Sequence, residues 1–144
     1  MKTLAIIGAG KGLGLSLAKR FGKEGFQIAL VARNAVKLQE MVTALNSIGI
    51  EASYFTADIY SKEQIEQAIS AIKNKYGQID VVEVSPVPGN YPPASVLELT
   101  IENARDAFEG FAASSINIVN AVLPDMLKKQ EGALLFTTTA VRFK

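Results

Sequence analysis

Short apolar runs alternate along this chain with stretches whose apolar residues return at helical spacing, and that alternation constrains the fold more than any other feature. Leu4 to Ile7 is the first run, and Leu13, Leu17, Ala18 and Phe21 follow at helical steps until Gly25. Phe26 to Ala32 is the second, followed by Val36, Met41, Leu45 and Ile48 up to Gly49. After a third run, Ile50 to Thr56, Ser61-Lys62-Glu63-Gln64 has the form of a capping box opening a helix with Ile65, Ala68, Ile69 and Ile72 inside. Ile79 to Val84 is the fourth run. Pro86, Pro88, Gly89, Pro92 and Pro93 then predict a long irregular loop. Helical pattern returns near Ile101, runs through Phe108, Phe111, Ile116, Val119 and Val122 toward Lys129, and leads past Gly132 to a fifth run, Ala133 to Thr138. Such alternation specifies an α/β protein, a doubly wound parallel sheet with helices on both faces and right-handed crossovers. One domain over residues 1–144, 49% hydrophobic, is expected. A chain of this size buries roughly 70% of its unfolded surface.

In such sheets ligands bind at the carboxyl ends of the strands, near the switch point. The first strand ends in Gly8-Ala9-Gly10-Lys11-Gly12-Leu13-Gly14, which runs straight into a helical pattern. Glycine lets this turn take positive φ and lets its backbone approach a pyrophosphate, whose charge the free N–H groups of the following helix accept. The pattern G-x-G-x-x-G would need glycine at Leu13, and no Gly-Lys-Ser/Thr of a P-loop follows. What fits is G-x-x-x-G-x-G on Gly8, Gly12 and Gly14. The other strand tips fall at Arg33, Asp58, Ser85 and Thr139.

Composition narrows the chemistry. Net charge is +1, without like-charge runs or a basic stripe, which argues against nucleic-acid and membrane-surface partners. Cysteine and histidine are both absent, which removes thiol nucleophiles, thiolate and imidazole metal sites and the commonest general base. Carboxylates, Lys, Tyr and hydroxyls remain. The apolar start is too short for a signal segment, so a cytoplasmic location is expected.

With the glycine turn, Ala32-Arg33-Asn34, Ala57-Asp58-Ile59 and the helix end Ala121-Val122-Leu123-Pro124-Asp125-Met126-Leu127 in collinear order over essentially the whole chain, the sequence resembles the short-chain dehydrogenase/reductase family. The resemblance implies a three-layer Rossmann-like fold of about five strands and hydride transfer between a nicotinamide dinucleotide and a small alcohol or carbonyl substrate. It implies cofactor contacts at Gly8, Gly10, Lys11, Gly12, Leu13 and Gly14 and, at the other strand ends, at Arg33, Asn34, Asp58, Ile59, Ser85 and Pro86. NAD-binding proteins place a carboxylate near the end of the second strand, whereas this chain has Arg33 there and Lys11 in the turn, which suits the 2′-phosphate of NADP(H) over NAD(H). The plainer alternative is that both are solvated surface charges. Asp58 matches the family acid that meets the adenine amino group, or it caps the loop before the Ser61 helix.

Departures from the family pattern matter as well. Where the family carries Asn-Asn-Ala-Gly, this chain reads Val84-Ser85-Pro86-Val87. Where its long helix carries asparagine, Gly110-Phe111 stands. The family's catalytic serine aligns with Thr139, which keeps the hydroxyl. No tyrosine among Tyr54, Tyr60, Tyr76 and Tyr91 is followed four residues later by lysine, so the family's Tyr-x-x-x-Lys pair is missing. The expectation is the cofactor-binding portion, roughly two-thirds, of an oxidoreductase truncated after its fifth strand and catalytically silent by itself. The alternative is a non-catalytic NADP(H)-binding sensor or interaction module. Leu134-Leu135-Phe136 at an open edge and the helix around Phe108, Phe111 and Ile116 predict a homo-oligomer. Glu83, in the middle of a central strand, is left open between a protonated or paired side chain near the cofactor and a strand exposed here by missing elements.

Overall fold

The computed structural model describes residues 1–87 and 96–137. β1 (Thr3–Ile7), α1 (Leu13–Lys23), β2 (Gln27–Ala32), α2 (Ala35–Asn46), β3 (Ala52–Thr56), α3 (Lys62–Tyr76) and β4 (Val81–Val84) alternate strictly. A 3₁₀ turn (Val96–Glu98), α4 (Ile101–Ala107), a π-helical turn (Phe108–Ala113), α5 (Ser114–Lys129) and β5 (Ala133–Phe136) follow. The five strands form one sheet in the order β3-β2-β1-β4-β5. All pairings are parallel, with Ile6 opposite Leu30 on one side and Glu83 on the other. The chain builds outward from β1 through β3, then crosses to β4, so the switch point falls between β1 and β4.

Alternate residues of the inner strands feed two cores. Ala5, Ile7, Ala29, Val31, Val82 and Val84 pack against α3 (Ile65, Ala68, Ile69, Ile72) and α5 (Ile118, Val122, Met126). Leu4, Ile6, Ile28 and Leu30 pack against α1 (Ala18) and α2 (Leu38, Met41, Val42, Leu45). Strands buried on both faces read as unbroken apolar runs because neither side offers water. Each fully buried Leu or Ile here contributes about 1.5–3 kcal/mol over leaving it exposed.

Three local expectations are corrected. Leu13 opens α1 but lies exposed, and Leu15 joins Leu17 and Phe21 against the core in its place. Ser61 caps α3, accepting the Gln64 N–H at 3.3 Å, but only half of a capping box forms. The Gln64 side chain turns instead to the Asp58 N–H, at 2.9 Å. The single long helix expected from Ile101 to Lys129 is broken by the π turn. A π turn places more residues in a turn than an α-helix does and so rotates the helical phase. After it the buried line is Ser114, Ile118, Val122 and Met126, while Phe108, Phe111 and Ile116 face outward. Of the proline-rich loop, residues 88–95 lie outside the described residues.

Candidate functional site

The carboxyl end of the sheet gathers most of the strand tips. Gly8 has φ +91, a backbone region that L side chains rarely adopt, and a Cβ there would lie 2.4 Å from the Pro86 Cα. The turn is pinned to β2 by the Gly8 and Ala9 N–H groups, which both donate to the Val31 carbonyl at 2.8 and 3.0 Å. Gly14 is buried where a Cβ would come within 3.2 Å of the Ala9 Cα, so α1 packs closely on its own turn. Gly10 and Gly12 differ from both: nothing lies within 4 Å of a Cβ built on either. Their bareness leaves open space above the backbone. Gly12 is the N-cap of α1 and offers no side chain, and the first turn carries no acidic residue. The positive end of α1 therefore faces that space uncompensated.

Beside the turn lies a cavity of about 290 Å³, lined in part by Gly8, Gly10, Ala32, Arg33, Ile59 and Pro86. That is near the lower end of small-molecule pockets, about 300–1,000 Å³. Arg33 sits at its wall, and no ion pair among the described residues includes it. Lys11 differs. Its Nζ lies 2.6 Å from the Glu40 Oε2 of α2, so the turn lysine has an acid partner that the reading of strand tips did not anticipate. That pair, exposed on both sides, holds the Glu40 carboxyl below the ordinary range through the Lys11 hydrogen bond and charge.

The remaining expected contacts are partly committed elsewhere. The Asn34 Oδ1 accepts the Lys37 N–H at 3.0 Å and caps α2. The Asp58 Oδ1 accepts the Tyr60 N–H at 3.1 Å, a local loop bond of the kind Asp often makes. Ile59 lines the cavity and packs on the α3 core. Pro86 walls the cavity, whereas the Ser85 hydroxyl points to Glu83. Glu83 is buried at 2% exposure; its Oε2 accepts the Ser85 Oγ–H at 2.9 Å and its Oε1 accepts the Thr137 Oγ1–H at 2.7 Å. Thr139 lies outside the described residues.

Sequence reading missed Tyr60 and Val87 as cavity walls. Tyr60 follows the tip at Asp58 by two positions, and that spacing was the available signal. Burial pushes the Tyr60 phenol above its ordinary pKa; Asp106, Asp58 and Glu109 add to the rise and Arg33 opposes it. Carboxylates of α4 and the π turn thus act on the Tyr60 phenol through their charge. Among the described residues no group of three or more His, Cys, Asp or Glu could hold a metal ion, and no helix is long and apolar enough to cross a membrane.

A doubly wound α/β sheet with a glycine turn at its switch point defines a Rossmann-like protein. A sequence profile described as short chain dehydrogenase matches residues 2–143, and the chain belongs to that family. An uncharacterized oxidoreductase of Staphylococcus epidermidis is 27% identical over 134 residues, 93% of this chain and 56% of that protein. The peroxisomal 2,4-dienoyl-CoA reductase of Arabidopsis thaliana is 29% identical over 127 residues, 88% of this chain and 42% of that protein. Among solved structures, a variant actinorhodin polyketide ketoreductase crystallised with NADPH superposes with a TM-score of 0.82 at 29% identity, over 94% of this chain and 52% of that one. The chain thus spans about half the length of the curated relatives it matches, less than the two-thirds expected from sequence. Within that family, the five parallel strands of this chain correspond to about half of the related ketoreductase structure.

Proposed function

We propose that these residues form the NADP(H) site of an oxidoreductase that moves hydride between the nicotinamide ring and a small alcohol or carbonyl substrate. The observation that carries this reading is the pairing of an open glycine turn with an arginine that enters no ion pair among the described residues. Gly10 and Gly12 leave room for a pyrophosphate over the α1 N-terminus, and Arg33 stands at the wall of the adjoining cavity. The residues fit the group: backbone N–H donors for phosphate, the small Ala32 and Ala57 with Ile59 around a flat ring, and a guanidinium for a 2′-phosphate. The ketoreductase that superposes on this chain was crystallised with NADPH, which supports the choice of dinucleotide.

The bound dinucleotide would supply the hydride. This chain's part is to bind and orient it: Gly8 keeps the turn close to Pro86, the α1 N-terminus receives the pyrophosphate, and Arg33 receives the 2′-phosphate. Lys11 reaches the same phosphate only after leaving Glu40. Thr139 is proposed to orient the substrate oxygen through its hydroxyl. No tyrosine in residues 1–144 has lysine four positions on, so the proton step is not assigned to this stretch. A second reading, nucleotide binding without turnover, is favoured by Val84-Ser85-Pro86-Val87 and by the absence of asparagine at Gly110-Phe111.

Titrating the protein with NADPH and NADH tests the proposal. NADPH should bind at least about tenfold tighter, and Arg33→Ala should remove most of that difference while leaving NADH affinity within twofold, a charge-assisted contact of about 1.5–3 kcal/mol. Equal affinity for the two dinucleotides in the wild type counts against NADP(H). NADPH binding without carbonyl reduction by these 144 residues is expected of both readings, because the proton step is not assigned to this stretch, whereas binding of neither dinucleotide overturns both.

A further inference from the structure

Thr3, Asp80, Glu83 and Ser114 are the buried polar or charged residues among those described. Asp80 has a cation, Lys129, at 2.9 Å, and the Ser114 hydroxyl donates to the Gly110 carbonyl at 2.6 Å. Among the described residues Glu83 has no ion-pair partner, and its two oxygens accept the hydroxyls of Ser85 and Thr137. Its neighbours across the ladder are Ile6 on β1 and Leu135 on β5, so an aliphatic side chain would suit the same place. Burying a carboxylate without a cation is unfavourable, and such a group is retained where its bonds fix something.

What these bonds fix is the end of the sheet at the cofactor site. Ser85 precedes Pro86, and the Pro86 backbone lies against Gly8 so closely that only glycine fits. Pro86 has no N–H and so cannot donate a ladder bond. Its neighbour does so instead: the Ser85 N–H donates to the Ile7 carbonyl at 2.9 Å, and the Ser85 side chain is tied to Glu83. Thr137, just past β5, donates its N–H to the Val84 carbonyl at 3.1 Å and its hydroxyl to Glu83. One carboxylate therefore joins the tips of β4 and β5 and backs the β1 turn.

We propose that Glu83 is a positioning residue for the nucleotide: through Ser85 and Thr137 it holds the Pro86–Val87 wall of the cavity against the glycine turn. The wall is then formed before the adenosine end arrives. This inference rests on the cavity being the dinucleotide site. It goes further by assigning the wall's geometry to a carboxylate–hydroxyl knot on the far side of the strand.

The test measures dissociation constants for NADPH and for adenosine 2′,5′-bisphosphate, together with the melting midpoint, in the full chain and in Ser85→Ala, Thr137→Val, Thr137→Ser, Glu83→Val and the Glu83→Val/Thr137→Val double variant. Ser85→Ala and Thr137→Val should each weaken both ligands about three- to tenfold, as expected for losing one hydrogen bond. Thr137→Ser should restore affinity to within twofold, and Thr137→Val should have no further effect once Glu83 is Val. Should Glu83→Val not fold, the two Thr137 variants carry the test, because Thr137 lies exposed at the end of the sheet. A lowered melting midpoint with unchanged affinities makes the knot purely structural and overturns the proposal. If the wild type binds neither ligand, the dinucleotide reading itself fails; if it binds both and the variants match it, only the role of Glu83 fails.

Discussion

Gly8 and Gly10 stand in the same turn and answer to different constraints. Gly8 has φ +91 and no room for a methyl group against the Pro86 backbone. Gly8→Ala should therefore destabilise the fold by about 2–4 kcal/mol, from the backbone strain together with forced repacking. Gly10 has neither restriction. Gly10→Ala should leave stability within about 0.5 kcal/mol, yet lower NADPH affinity, because the new methyl enters the space proposed for the pyrophosphate. Urea denaturation and nucleotide titration of the two variants separate the effects; equal losses of stability would remove the distinction. The glycine turn and Arg33 were legible as neighbours at one end of the sheet because both follow apolar runs at strand ends, and one cavity takes lining from both. The Lys11–Glu40 pair was not, since nothing local links two charges on separate elements. Glu83 was visible in the sequence only as an anomaly. Its solution depends on Thr137, more than fifty residues away, a separation the hydrogen bond records as 54.

Strands and helices were largely readable from period and punctuation, and the exceptions share a cause. Leu13 and Ile116 have helical spacing but the wrong phase, and phase is set by how an element begins or is interrupted. The π turn around Gly110 is such an interruption, and the Ser114 hydroxyl returns to the Gly110 carbonyl within it. Between elements, Asp80 joins β4 to its neighbours: its Oδ2 accepts the Thr3 N–H at 2.8 Å and its Oδ1 the Lys129 ammonium of α5 at 2.9 Å. Burial raises the Asp80 pKa, but the Lys129 bond and charge, the Thr3 N–H and the Gln78 amide outweigh it and hold the carboxyl below 3.8. A carboxyl lowered in the folded state contributes stability that is complete above its unfolded pKa and is lost as pH falls through the folded value. The contribution should thus fade below about pH 4. Asp80→Asn should cost about 1–2 kcal/mol at pH 7, because Lys129 loses its ion pair but stays partly exposed and bonded to the Gln78 amide oxygen. The variant and wild-type stabilities should converge as pH falls toward 3, read by urea denaturation at each pH. A constant gap across that range would show that the charge of Asp80 is not what binds these elements.

At the scale of the molecule, the sheet is well covered over β1 and β2 and thinly covered at β5. β5 pairs with β4 on one side, and among the described residues no strand pairs with its other side. Its sequence, Ala133-Leu134-Leu135-Phe136, carries none of the lysines or prolines that commonly guard an edge, and Leu135 and Phe136 are 41% and 48% exposed. Leu123, Met126, Leu127 and Leu134 line a groove alongside, and Phe108, Phe111 and Ile116 add exposed apolar area on the helical layer. Ile116, Leu123 and Leu127 share one face of α5, so the groove beside β5 and the exposed helical patch continue along a single side of that helix and predict contacts between copies. The 144-residue chain should self-associate at micromolar concentration, seen as a rising weight-average mass in sedimentation or light scattering. Leu135→Lys places a charge on the edge and should shift association to higher concentration if strand pairing dominates. Phe111→Glu should do so if the helical face dominates. An unchanged monomer mass across the concentration range would assign neither surface to self-association and would leave the apolar β5 edge without a partner in a second copy.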